Sequence, residues 1–156
     1  MNKDLICAIA NPPGVGAIGI IRLSGIGALD LVKKITSKSM RYREACFVSL
    51  RDEEEILDTG ILISFKGPNS FTGEDLIEFQ GHGNPVIQRR LINFFLSHGA
   101  RLANPGEFSQ RAYLNNKIDL AQAEAIADLI TSKSEAAATA ALKSLRGDFS
   151  LRVKNL

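Results

Sequence analysis

The stretch Asn11-Pro12-Pro13-Gly14-Val15-Gly16-Ala17-Ile18-Gly19-Ile20-Ile21-Arg22-Leu23 is where the fold is decided. Residues 14–19 match G-x-G-x-x-G, the phosphate loop of dinucleotide-binding folds. In that motif the third glycine lies in the opening turn of a helix, and the helix amino terminus holds the pyrophosphate. Here Ile18 to Leu23 follows, an isoleucine-rich run of β character closed by Ser24-Gly25, so no helix dipole is available. No carboxylate stands about 20 residues on to take a ribose hydroxyl, because Asp30 is too near. The stretch reads as a tight, close-packed glycine loop between two strands, not as a nucleotide site.

Upstream, Leu5 to Ala10 is a short apolar run broken by Asn11-Pro12-Pro13-Gly14. Downstream, Ile26, Leu29, Val32 and Ile35 recur every three residues as a helical stripe. Phe47 to Leu50 and Gly60 to Phe65 read as strands joined by an exposed turn around Asp52-Glu53-Glu54-Glu55. Gly67-Pro68-Asn69-Ser70 breaks the chain, and Asp75 to Phe79 resumes it in extended form. Asn84-Pro85 starts a helix, with Asn as cap and Pro at the first helical position, where its missing N–H costs nothing. That helix carries Ile87, Leu91, Phe94 and Phe95 and ends near His98-Gly99. Ala100 to Ala103 is a short strand, and Pro105-Gly106-Glu107 opens a brief helix reaching Leu114.

From Asp119 the chain turns alanine-rich. Asp119 and Gln122 have capping-box spacing. Leu120, Ala123, Ala127 and Ile130 form a stripe that Ala137, Ala141, Leu145 and Phe149 continue. The segment is too short to bury that stripe alone, so it reads as the first part of a helical domain, or as a helix whose partner is another chain. The expected organisation is a domain over residues 1–118 followed by helix over 119–156. Strands dominate the first part without strict alternation with helices. The fold class is therefore α+β, a mixed β-sheet with packed helices.

Composition is that of a globular protein, with 45% hydrophobic and 23% charged residues in 156. A formal charge of +2 is too small for a dedicated nucleic-acid grip, so contact with RNA would need other parts of a larger molecule. No run approaches the about 20 apolar residues of a membrane span, and Met1-Asn2-Lys3-Asp4 leads into no signal peptide. Cys7 and Cys46 sit in apolar runs without metal-ligand spacing. They read as buried thiols of a cytoplasmic protein, although spacing does not exclude a disulfide. G-x-x-x-x-G-K-[ST] is absent, so these residues hold no GTP-hydrolysing loop.

Three side chains carry chemistry: Arg22 near a strand end, Glu78 in the apolar Leu76-Ile77-Glu78-Phe79, and Lys117 just before a helix. A lone acid in an apolar strand needs a partner or a wet face, and spacing leaves open a ligand role or an edge-strand carboxylate in water. His82, in Gly81-His82-Gly83, invites a Ser-His-Asp reading. No G-x-S-x-G elbow accompanies it, and the alternative is a turn residue whose ring bonds to backbone. No catalytic or metal-ligating set emerges.

Three segments resemble the MnmE/TrmE family of tRNA-modifying GTPases. One is Pro68-Asn69-Ser70-Phe71-Thr72-Gly73-Glu74-Asp75 with Gln80-Gly81-His82-Gly83. A second runs from Pro105-Gly106-Glu107-Phe108-Ser109-Gln110-Arg111 through Lys117 and Asp119 to Gln122-Ala123-Glu124-Ala125. The third joins Asn11-Pro12-Pro13-Gly14 to Gly19-Ile20-Ile21-Arg22. The resemblance implies a domain similar to the folate-binding domain of the aminomethyltransferase group, which pairs as a homodimer and binds a tetrahydrofolate derivative in 5-formyl or methylene form. It implies modification of the wobble uridine of tRNA at ring carbon five, with the flavoprotein MnmG (GidA) as partner. GTP, Mg and K would belong to a GTPase domain outside these residues. The family's folate-contacting positions fall on Arg22, Glu78 and Lys117. A carboxylate can accept the paired N–H and amino donors of a pterin, while Arg and Lys suit its carbonyl and the glutamate tail. The family commonly has arginine in the loop where Val15 stands here. A free-standing folate-dependent one-carbon transferase and a purely structural pairing module are the competing readings.

Overall fold

The computed structural model describes residues 4–36 and 40–146. The chain forms two compact units, Met1–Gly106 and Glu107–Leu156.

The first unit is built on a mixed six-stranded sheet with strand order β3-β4-β5-β2-β1-β6. The strands are β1 (Ile6–Ile9), β2 (Gly16–Ser24), β3 (Cys46–Asp52), β4 (Glu55–Phe65), β5 (Leu76–Gly83) and β6 (Arg101–Leu102). All neighbours are antiparallel except β1 and β6, which run parallel. The α+β expectation holds. So does the reading of Ile18–Leu23 as strand, and β2 extends it back to Gly16.

Helices α1 (Ala28–Thr36) and α2 (Pro85–Ser97) carry the core. Alternation along β2 puts Ile21 and Leu23 on the helix side, and β5 adds Ile77 and Phe79, all at most 2% exposed. Leu91, Phe94 and Phe95 of α2 pack into the same cluster as Leu29 and Val32 of α1. Asn84 caps α2 as expected, its Oδ1 accepting from the backbone N–H groups of Val86 and Ile87. The carboxyl-terminal cap is His98, and Gly99 follows it with φ +91°. In α1 the helix begins two residues later than the stripe implied, and Ile26 is 71% exposed. The left-handed Gly27 separates it from the helix.

Three expectations are corrected. Gly81-His82-Gly83 is the end of β5, not a turn. β5 lies between β4 and β2, so Glu78 is in an interior strand and not an edge strand. Only the middle of the acidic run turns the chain, with Asp52 and Glu55 paired across the β3–β4 hairpin.

The second unit contains α3 (Glu107–Leu114), α4 (Leu120–Thr131) and α5 (Glu135–Leu145). Asp119 and Gln122 form the expected capping box. The helix breaks at Ser132–Ser134, Ser134 caps α5, and the Gln122 side chain donates to the carbonyl of Leu145, closing a helical hairpin. The expected stripe is not the buried one. Leu120 and Ile130 are 59% and 78% exposed, and the buried residue of α4 is Ala125. Phe149 lies outside the described residues.

Candidate functional site

Helices cover one face of the sheet; the other is open over much of its area. Cross-strand register places Phe47, Ile61, Gln80 and Ile20 in one row, and Ile63, Glu78, Arg22 and Ala8 in the next. Phe47 is 69% and Ile61 39% exposed, so the β3–β4 half of the first row is an apolar strip facing outward. The second row brings together two of the three candidate residues: the Nε–H of Arg22 donates to Glu78 Oε1 at 2.6 Å. Their side chains are 36% and 17% exposed. Among the described residues, Glu78 Oε2 and the terminal guanidinium nitrogens of Arg22 bond to nothing else in the protein. The pair presents an acceptor beside donors on a half-dry surface, a pattern complementary to a heterocycle with adjacent N–H and carbonyl groups.

The end of this face is closed by the loop that joins β4 to β5. Ser24, two residues beyond Arg22, bonds through Oγ to Thr72 Oγ1 at 2.7 Å and donates to the Glu74 carboxylate at 2.8 Å. Ser70 donates to the Glu74 carbonyl, and Asp75 accepts from the backbone N–H of Gly67 and from Lys66. Each polar residue of Ser70–Asp75 other than the glycine is thus spent on fastening the loop. Gly67-Pro68 is a cis peptide.

Toward the other end of β5, Asp58 pairs across the hairpin with the core residue Leu50 on the helix side of the sheet; it is 6% exposed, and its carboxylate accepts the backbone N–H of Thr59 and of His82. Its Oδ1 is also 2.6 Å from His82 Nδ1. The ring therefore bonds to a buried carboxylate and not to backbone. Gly81 makes this possible, because a Cβ there would stand 2.2 Å from Asp58 Oδ2. Sequence reasoning passed over Asp58, which sits in a polar-looking hairpin.

The glycine loop is also held differently from expectation. Asn11 Oδ1 accepts from the backbone N–H of Ile20 and from Gln88 Nε2, tying the loop to α2. Gly14, with φ +135°, lies in the loop, but Gly16 and Gly19 lie in β2. Gly19 is needed because a Cβ would stand 2.2 Å from Gln88 Nε2. A cavity of about 550 Å³ opens beside this loop, lined in part by Ile9, Asn11, Pro13, Gln88 and Ile92. Val15 is 88% exposed.

Lys117 belongs to the second unit, in the turn between α3 and α4, where its backbone N–H bonds to the carbonyl of Ala112. The same unit holds an ion pair that sequence reading did not single out, Glu107 with Arg111 at 2.9 Å, both side chains under a tenth exposed. Their i,i+4 spacing on α3 was the available signal.

Cys7 is fully buried, and burial pushes its thiol up to about 11. Cys46 is only half-buried, short of the burial expected, and both thiols are free. No group of side chains suited to a metal occurs among the described residues, and no helix among them is long and apolar enough to cross a membrane.

Fold and site together define an α+β sheet domain with one helix-covered face and one open, partly charged face. Residues 5–117 match the family described as "GTP-binding protein TrmE N-terminus". The chain is 55% identical over 154 residues to the tRNA modification GTPase MnmE of Francisella tularensis subsp. holarctica strain FTNF002-00 / FTA, covering 99% of this chain and 34% of that protein. The MnmE proteins of F. philomiragia and of F. tularensis subsp. novicida are 53% and 54% identical over the same shares. The chain belongs to the MnmE/TrmE family and corresponds to its amino-terminal region. It spans about a third of the length of these relatives.

Proposed function

We propose that this chain is the tetrahydrofolate-binding and subunit-pairing part of a tRNA modification GTPase. The observation that carries the folate reading is the uncommitted oxygen of Glu78 beside the uncommitted nitrogens of Arg22. A pterin offers paired N–H donors and a neighbouring ring carbonyl, and Glu78 and Arg22 match that edge in polarity. Ile20 and Ile63, in the adjoining register positions, supply an apolar floor for a flat ring. Lys117 is assigned the second cationic contact, as the family resemblance implies.

The bound folate supplies a one-carbon unit in 5-formyl or methylene form. The chain's own residues hold and orient it: Glu78 fixes the pterin edge, Arg22 fixes Glu78, and the Ser70–Asp75 loop keeps β2 and β5 in place behind them. The acceptor is the wobble uridine of tRNA at ring carbon five, with MnmG (GidA) as the joint partner in the cytoplasm. Residues 1–118 are the folate and pairing domain, and the helices from 119 onward are the beginning of a helical domain. GTP, Mg and K act in the GTPase domain that the full-length relatives carry. The exposed Phe47–Ile61 strip supports pairing with a second copy of the chain.

Calorimetry with 5-formyltetrahydrofolate tests the ligand. Binding is expected for the unmodified chain, and Glu78→Ala weakens it by about 2 kcal/mol, roughly 30-fold. No heat from a folded, unmodified protein would leave only the structural pairing module, the reading favoured by Val15 in place of the family's loop arginine.

A further inference from the structure

We infer that Asp58 and His82 form a proton-transfer dyad serving the one-carbon unit of the same folate site; this rests on the folate reading above. Four observations point to it. An ionised carboxylate only accepts hydrogen bonds, so the 2.6 Å contact fixes the proton of neutral His82 on Nδ1 and leaves Nε2 as the acceptor. Asp58 is buried while the His82 side chain is 63% exposed, so the ring is oriented from inside and presented outward. Nε2 has no protein partner among the described residues. Asp58 is itself locked by the backbone N–H groups of Thr59 and His82, in a space that exists because residue 81 is glycine. A ring needed only for packing would not be left so exposed, and a buried carboxylate is costly unless its lone pairs are used.

Location supplies the substrate. His82 lies four residues beyond Glu78 on β5, with β2–β5 pairing continuous between them. That interval is about 13 Å along the strand. A pterin gripped at its amino edge by Glu78, and laid along the strand, would carry its reactive nitrogens toward His82. His82 Nε2 takes the proton that the attacking nucleophile loses, and Asp58 stabilises the resulting imidazolium. His82 then gives that proton to the folate nitrogen from which the one-carbon unit departs, and the electron pair of the broken C–N bond stays on that nitrogen. Transfer of a 5-formyl unit in this way breaks one N–C bond and forms one bond from nucleophile to carbon, with no oxidant required. Asp58 is a positioning residue in this scheme.

The chain has only two histidines, so nitrogen-15 NMR resolves them separately. The expected spectrum shows His82 as the Nδ1–H tautomer, and adding 5-formyltetrahydrofolate shifts its Nε2 resonance while His98 stays still. Asp58→Asn removes the tautomer preference, and His82→Gln keeps folate affinity within about threefold by calorimetry. In the protein with all its domains, His82→Gln lowers one-carbon transfer by about 100-fold or more. Folate binding with an unmoved His82 resonance overturns the dyad and leaves the folate site standing. Unimpaired transfer by His82→Gln does the same. Absence of binding by the unmodified chain overturns the folate reading itself, and the dyad with it.

Discussion

Cys7 is fully buried on the helix face of β1, and a thiolate there would be stranded in apolar surroundings. The folded protein keeps the thiol protonated up to about pH 11, while the unfolded chain begins to release that proton near 9.0. Folding stability contributed by this group is therefore whole below pH 9 and lost as pH rises from 9 to 11, by about 2–3 kcal/mol. Urea unfolding across that range should show the loss, and Cys7→Ala, though less stable throughout, should show a shallower fall. Alkylation at neutral pH should mark Cys46 and spare Cys7 until the protein unfolds. Gly81 is the second residue whose context decides its effect. Gly81→Ala would thrust a methyl to 2.2 Å from Asp58 Oδ2 and 2.6 Å from the Phe79 ring, neither of which can withdraw from the core. A loss of about 2 kcal/mol or more is expected in denaturant unfolding. A variant as stable as the parent would mean that Asp58 has another place to go, which its three accepted bonds argue against.

Elements whose ends are written in local chemistry were legible, and α2 is the clearest. Asn84 and Pro85 mark its start, and both serve the roles that spacing assigns them. Asn84→Ala removes the acceptor for two backbone N–H groups and should cost about 1 kcal/mol in a urea titration, with the slope unchanged. The capping box of α4 was equally readable, because it too is settled within four residues. β5 was not. Its second half reads as a turn because Gly81 and Gly83 are strong breakers in isolation, yet both glycines exist so that other groups can approach: Asp58 at one, the Gly16 backbone at the other. Such contacts join residues far apart in sequence, and no local pattern encodes them. The candidate site divides along the same line. Arg22 and Glu78 stood out by their side-chain chemistry, their ligand role came from family resemblance, and their pairing follows from a β2–β5 register that periodicity does not set. Asp58 went unread because nothing within its own hairpin announces its partner, 24 residues away.

At the scale of the molecule, the sheet has two unlike faces, and the contrast bears on assembly. The helix side buries Ile21, Leu23, Ile77 and Phe79, whereas the open side leaves Phe47 at 69% and Ile18 at 64% exposed on strands that could have carried polar residues there. An alternating strand normally gives its solvent face to polar side chains. The acidic residues of the β3–β4 hairpin sit at one end of an edge strand, where they discourage further strand addition, so pairing through the face is favoured over pairing through that edge. Phe47 is 69% exposed, so Phe47→Glu should perturb the monomer little while placing a charge at the edge-strand end of the apolar strip. Burying a phenylalanine is worth about 1.5–3 kcal/mol, and desolvating a carboxylate in its place adds to the penalty. The dissociation constant of the proposed dimer, followed by sedimentation equilibrium, should therefore rise by about 100-fold or more. If the variant pairs as tightly as the parent, subunit contact runs through some other surface.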